Sequence, residues 1–188
     1  MSERTSNGEL PTPEATAALG RRLGGLLRAG DLVVLAGDLG AGKTTFTRGL
    51  ADGLGVRGPV TSPTFVIARV HPSLVGGPPL VHVDAYRLGS LAEVDDLDLD
   101  ASAGQAVTVV EWGSGMVEEL AEDRLEVDLL RPHGATAGAG DAGDAGDPAG
   151  AELGVPVEPR AVRLRAVGGR WAGVDLAALL RPGPDAAP

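Results

Sequence analysis

One octapeptide, G-D-L-G-A-G-K-T at residues 37–44, constrains the fold more than any other part of the chain. It fits the phosphate-binding loop pattern G-x-x-x-x-G-K-[ST] at every position. Glycines permit positive φ and a close backbone approach to a polyphosphate, and successive N–H groups at a helix start favour an anion. Lys43 can reach the β and γ phosphates, and the Thr44 hydroxyl can ligate magnesium. The predicted nucleotide contacts in this stretch are Gly37, Asp38, Leu39, Gly40, Ala41, Gly42, Lys43, Thr44 and Thr45.

The flanking sequence agrees with this interpretation. Residues 31–36 form a short apolar, β-branched run that is typical of a buried parallel strand. Residues 44–54 have helical spacing, and Gly55 is placed to end the helix. Strand, loop and helix thus occur in the order that the motif requires, which disfavours a chance Gly-rich turn. Lys43 is also the only lysine among 16 cationic side chains.

Two further predicted strands end in carboxylates. The run Leu80–Asp84 alternates and then breaks, and the run Val107–Glu111 is a β-branched run, typical of a buried strand, that ends in its acid. Open α/β sheets bind ligands at the carboxyl ends of their strands, so Asp84 is a candidate for a second, Walker-B-like magnesium ligand. Glu111 is a candidate to complete the magnesium shell or to orient an attacking water. Alternatively, Asp84 caps the turn that follows its strand, and Glu111 forms a salt bridge. Trp112 either packs in the fold or contacts nucleotide.

The segment T-S-P-T at residues 61–64 has two interpretations. Pro63 and the neighbouring hydroxyls are typical of a turn. Alternatively, the segment is switch-like, and a hydroxyl such as that of Thr64 contacts magnesium or the γ-phosphate.

Composition restricts the class of protein. The net charge of −10 argues against broad electrostatic attraction to nucleic acid. No cysteine is present, and no apolar run approaches the ~20 residues of a membrane span. The first residues do not form an apolar signal segment, so we expect a cytoplasmic protein with no membrane contact.

The predicted fold is α/β, a P-loop NTPase-like mixed, mainly parallel sheet flanked by helices. Residues 137–151 contain only Ala, Gly, Asp and Pro, which cannot form a core. The runs on either side of this tract alternate and predict an antiparallel C-terminal edge pair. The expected parts are a flexible N-terminus (1–10), a P-loop ATPase core (11–130), a low-complexity flexible insertion (131–159), a C-terminal strand and short helix completing the core (160–182), and a tail (183–188).

Four segments together resemble the TsaE family of bacterial ATPases, which is required for threonylcarbamoyladenosine formation in transfer RNA. They are G-D-L-G-A-G-K-T-T at 37–45, T-S-P-T-F at 61–65, H-V-D-A-Y-R-L at 82–88 and V-E-W-G at 110–113. The resemblance covers roughly residues 10–130. It implies ATP and Mg²⁺ as cofactors, a partner complex of TsaD with TsaB, and only indirect contact with tRNA. It implies phosphate and metal binding by Lys43 and Thr44, metal binding by Asp84, support of hydrolysis by Glu111, and nucleotide sensing by residues 61–64. ATP turnover would then reset the partner complex between cycles.

Other functions remain open at this point. A Ras-like GTPase needs N-K-x-D, which is impossible here because the only asparagine is Asn7 and the only lysine is in the loop. A small-molecule P-loop kinase would need an arginine-bearing lid, and no convincing stretch supplies one. A nucleotide-dependent interaction module without significant turnover is the non-enzymatic alternative.

Overall fold

The computed structural model describes residues 2–63, 68–87, 104–118, 121–131 and 158–181. The expected insertion at 131–159 (apart from residues 131, 158 and 159), residue 182, the tail at 183–188 and Thr64 lie outside this described part.

The described residues form one seven-stranded mixed sheet with helices packed on it. The strands and helices in chain order are β1 (Glu3–Leu10), α1 (Pro13–Gly24), β2 (Leu32–Ala36), α2 (Lys43–Leu54), β3 (Ala68–His71), β4 (Leu80–Asp84), β5 (Val107–Glu111), β6 (Arg124–Leu130), β7 (Arg160–Val167) and α3 (Leu176–Leu180). The order across the sheet is β1-β7-β6-β2-β5-β4-β3. The central strands β6, β2, β5 and β4 are parallel, whereas β3, β7 and β1 run antiparallel to their neighbours. The predicted mixed α/β class is confirmed.

The predicted antiparallel pairing of β6 with β7 is confirmed, but this pair is not the edge of the sheet. β1 continues the sheet beyond β7, with Glu3 opposite Val167 and Leu10 opposite Arg160. The prediction of a flexible segment at residues 1–10 is therefore wrong for Glu3–Leu10, which form β1. Backbone pairing holds this polar segment, and Arg165 adds an ion pair to Glu3 at 2.7 Å.

The apolar residues of the sheet divide into two cores by the alternation of each strand. On one face, Val33 and Leu35 of β2 pack with Phe46 and Leu50 of α2 and with the buried face of α1. On the other face, a second cluster includes Leu32, Val34, Val81, Val83, Val110 and Val117. β2 is thus buried on both sides, as expected of a central parallel strand.

Helices α1 and α2 approach each other through glycines. A Cβ on Gly20 or Gly24 would stand 2.2 Å from a backbone oxygen of α2, and one on Gly49 or Gly53 would meet a backbone oxygen of α1 at 2.0 or 2.1 Å. This close contact packs α1 against the helix that begins at the glycine-rich loop. The Thr12 hydroxyl caps the start of α1 by accepting from the Ala15 N–H.

Candidate functional site

The glycine-rich loop (residues 37–42) connects the end of β2 directly to the start of α2. Gly37, Gly40 and Gly42 have φ of 135°, 72° and 107°, a region that side-chain-bearing residues seldom adopt. A Cβ on Gly37 would also lie 2.2 Å from the Leu129 carbonyl of β6, so this glycine is required for packing as well. The loop therefore has the backbone that the sequence motif predicts, at the carboxyl edge of the parallel strands.

Lys43 is buried within this loop. Its Nζ donates to the carbonyls of Gly37 at 2.7 Å and Asp38 at 3.0 Å, and it lies 3.8 Å from the centre of the Trp112 ring. Burial lowers the pKa of Lys43, while the carboxylates of Glu111, Asp84 and Asp38 oppose that shift. The ammonium is held by loop carbonyls, an aromatic face and nearby negative charge, all of which favour a cation.

The two strand-end carboxylates are neighbours. In the parallel ladder of β4 and β5, Asp84 pairs with Glu111. Asp84 Oδ1 accepts from the Tyr86 N–H at 3.0 Å, and Oδ2 accepts from Ser62 Oγ at 3.0 Å. Asp84 thus caps the turn after its strand, as the alternative interpretation proposed, and it also borders the cleft described below. The contact with Ser62 joins the segment at 61–63 to this carboxylate.

Glu111 is buried and hydrogen-bonded to His82, whose Nε2 lies 2.8 Å from Glu111 Oε1. The sequence interpretation named Glu111 but gave no role to His82. The alternation of β4 was the available signal, because His82 and Asp84 are two positions apart and so lie on the same face of the sheet.

Trp112 forms a wall of the site. It has φ of 63°, the only positive φ at a non-glycine position in the described ranges, and its backbone N–H donates to the Leu35 carbonyl at 3.0 Å. Its ring packs against Tyr86, with 5.3 Å between the ring centres. This conformation turns the chain after β5 and places the indole over Lys43.

These residues surround a cleft of about 550 Å³. Its lining residues are Leu39, Gly40, Gly42, Lys43, Thr44, Thr45, Ser62, Asp84, Tyr86, Glu111 and Trp112. Of the predicted site residues, Gly37, Asp38 and Ala41 belong to the loop but do not line the cleft, and Thr64 lies outside the described residues.

The oxygen ligands of the cleft fit a small hard cation. Thr44, Asp84 and Glu111 all border it, and Mg²⁺ in nucleotide sites takes one or two carboxylates, substrate phosphates and several waters. The part of the chain that the structure describes contains no group of three or more His, Cys, Asp and Glu suited to hold a metal alone. A magnesium bound beside these residues would take its remaining ligands from water and from the phosphates of a nucleotide.

The fold and the cleft define a mixed α/β protein whose glycine-rich loop joins a central parallel strand to a helix, next to two strand-end carboxylates. The family model for the threonylcarbamoyl adenosine biosynthesis protein TsaE matches residues 10–136. The chain belongs to the TsaE family.

Individual relatives agree with this assignment. The chain is 59% identical over 162 residues to the tRNA threonylcarbamoyladenosine biosynthesis protein TsaE of Streptomyces coelicolor, covering 86% of this chain and 97% of that one. It is 43% identical over 120 residues to the protein of the same name from Bacillus subtilis, covering 63% and 73%. The crystal structure of Bacillus subtilis YdiB superposes with a TM-score of 0.62 at 31% identity, covering 91% of each chain. Among the described residues, no helix has the length and apolar character needed to cross a membrane.

Proposed function

We propose that this protein is a magnesium-dependent ATPase that acts in the threonylcarbamoyladenosine modification of transfer RNA. One observation supports this most strongly: the parallel register that sets Asp84 beside Glu111 also brings both to the cleft of Lys43 and Thr44. The proposed pathway is inferred from the names of the relatives, and the proposed reaction is inferred from the residues that line the cleft.

In this proposal, the glycine-rich loop binds the ATP phosphates through its backbone N–H groups, and Lys43 exchanges its bonds to the Gly37 and Asp38 carbonyls for bonds to phosphate. ATP would supply the phosphoryl group, and a bound Mg²⁺ would supply positive charge against the charge that develops on it. Thr44 and Asp84 would hold the metal, and Glu111 would bind it or orient the attacking water. The indole of Trp112 covers the Lys43 ammonium and limits water access on that side.

The biological role that we propose is nucleotide-driven resetting of a partner complex, TsaD with TsaB, in the cytoplasm. Transfer RNA would contact the complex, which agrees with the net charge of −10 on this chain.

The test is magnesium-dependent ATP hydrolysis by the purified protein, alone and with TsaD and TsaB of the same organism. We expect weak turnover alone, an increase with the partners, and a fall of both rates to a small, measurable residue in Glu111→Gln. A turnover rate that does not change when the partners are added would refute the resetting role. Phosphate transfer to a small molecule without partners would show that the protein is a kinase rather than an ATPase. Full modification activity in a Glu111→Gln variant that binds but does not hydrolyse ATP would favour a non-catalytic module.

A further inference from the structure

His82 is a buried polar side chain to which the proposed chemistry gives no part. It lies on β4 with its side chain 0% exposed, and the Glu111 side chain that it contacts is 4% exposed. His82 shares a face of β4 with Asp84, and Asp84 pairs with Glu111 on β5. His82 lies opposite Val109 in the ladder, two residues before Asp84, so its imidazole contacts Glu111 diagonally across the two strands.

The hydrogen bond determines where the imidazole proton lies. An ionised carboxylate only accepts hydrogen bonds, so the 2.8 Å contact with an ionised Glu111 requires the imidazole proton on His82 Nε2. His82 Nδ1 is buried and has no hydrogen-bond partner among the described residues. A proton on Nε2 pairs with Glu111, whereas a proton on Nδ1 would be a buried N–H with no acceptor among the described residues.

The bond also restricts the carboxylate. Oε1 of Glu111 is held by His82, while Oε2 has no hydrogen-bond partner among the described residues, and Glu111 lines the cleft. A carboxylate fixed through one oxygen presents the other in one orientation, and such outer partners commonly orient catalytic and metal-binding groups.

We propose that His82 is a positioning residue for the reaction: it fixes the Glu111 carboxylate so that Oε2 faces the cleft, where it can accept from the attacking water or a metal-bound water. This rests on the proposed ATPase function. His82 acts through Glu111 and touches neither nucleotide nor metal.

The kinetic test compares two replacements of His82. Leu removes the donor at similar volume, whereas the Gln amide restores an N–H near the position of Nε2. We expect His82→Leu to lower kcat about 10- to 100-fold with KM for ATP unchanged, and His82→Gln to recover most of that loss. The matched control is His71→Leu, a buried histidine on β3 that bonds the Arg57 carbonyl and lines no part of the cleft.

A double-variant comparison separates positioning from general support of the fold. If His82 acts through Glu111, His82→Leu lowers kcat in the wild-type background and causes no further loss in the Glu111→Gln background. An equal loss in both backgrounds, unchanged kcat in His82→Leu, or equal loss in His71→Leu would overturn the proposal.

A spectroscopic measurement decides the hydrogen bond independently of turnover and needs no variant of His82. The chain has three histidines, so the nitrogen-15 imidazole spectrum of the full chain is simple. We expect His82 to be protonated at Nε2, with a proton resonance that moves in Glu111→Gln. A proton on Nδ1 would overturn the proposal even if ATP turnover is robust. Absence of turnover with the partners present would instead refute the proposed function. The spectrum would still show whether His82 donates a hydrogen bond to Glu111.

Discussion

The contact between α1 and α2 predicts that Gly49→Ala destabilises the protein although alanine is the better helix former. The new Cβ would stand 2.0 Å from the Ala17 carbonyl oxygen and 2.8 Å from Ala17 Cα, whereas ordinary contact begins near 3.4 Å. The obstacle is backbone rather than a movable side-chain end, so the two helices must separate by roughly 1 Å or more. That movement would also displace the packed residues between the helices and the sheet.

The expected magnitude follows from two opposing terms. Helix propensity favours Ala over Gly by about 1 kcal/mol, and overpacking a tight core costs about 1–3 kcal/mol or more. Because backbone cannot yield as a side chain does, we expect a net loss of about 2 kcal/mol. In a chain of this size that lowers the melting temperature by roughly 4–8 °C.

Gly25→Ala is the matched control, measured by the same thermal or urea denaturation. Gly25 caps α1 with φ of −67°, and the nearest atom to a Cβ added there is the Arg22 carbonyl oxygen at 3.7 Å. We expect this variant to be as stable as the wild type or more stable by up to about 1 kcal/mol. Equal stability of Gly49→Ala and wild type, or equal losses in both variants, would refute the close-contact argument.

Three other predictions can be checked by denaturation and activity measurements. Arg170→Met removes a two-bond ion pair to the buried Asp31, at 3.0 and 2.9 Å, and should destabilise by about 3 kcal/mol; a loss below about 0.5 kcal/mol would show that solvent replaces the pair. Burial lowers the pKa of His71 below 6.5, so the stability it contributes is present above pH 6.5 and is lost as the pH falls to its folded pKa; His71→Leu should flatten the dependence of melting temperature on pH in that window, and an unchanged slope would contradict this. Deletion of 137–151 should leave melting temperature and ATPase activity intact, and a large drop in melting temperature would show that the tract is packed.

The sequence predicted the central strands and the loop because their signals are local. The apolar run of β2, the motif at 37–44 and the Gly55 cap each depend on a few adjacent residues, and the structure places all three as expected. The strand-end positions of Asp84 and Glu111 followed from the same kind of pattern.

β1 could not be predicted in this way. Its sequence E-R-T-S-N-G-E-L has no apolar alternation, and only Leu10 is buried. The strand exists because β7 offers an unpaired edge, a feature of the assembled sheet that no local pattern in residues 3–10 contains.

The contact of His82 with Glu111 and the positive φ of Trp112 depend equally on tertiary structure. Strand order determines that β4 adjoins β5, and the sequence does not state that order. The sequence does reveal part of the helix contact. Gly20 and Gly24 are four residues apart, as are Gly49 and Gly53, so each pair lies on one helix face. What the spacing does not reveal is that the two faces meet each other.

The central claim is that the cleft around Lys43 binds Mg-ATP, and calorimetric titration with a non-hydrolysable ATP analogue tests it most directly. We expect the wild type to bind one equivalent in the presence of Mg²⁺. Lys43→Ala should bind at least about tenfold more weakly, since it removes the charge-assisted bonds to the phosphates. Unchanged affinity in Lys43→Ala, with the fold intact, would contradict the assignment of the whole site.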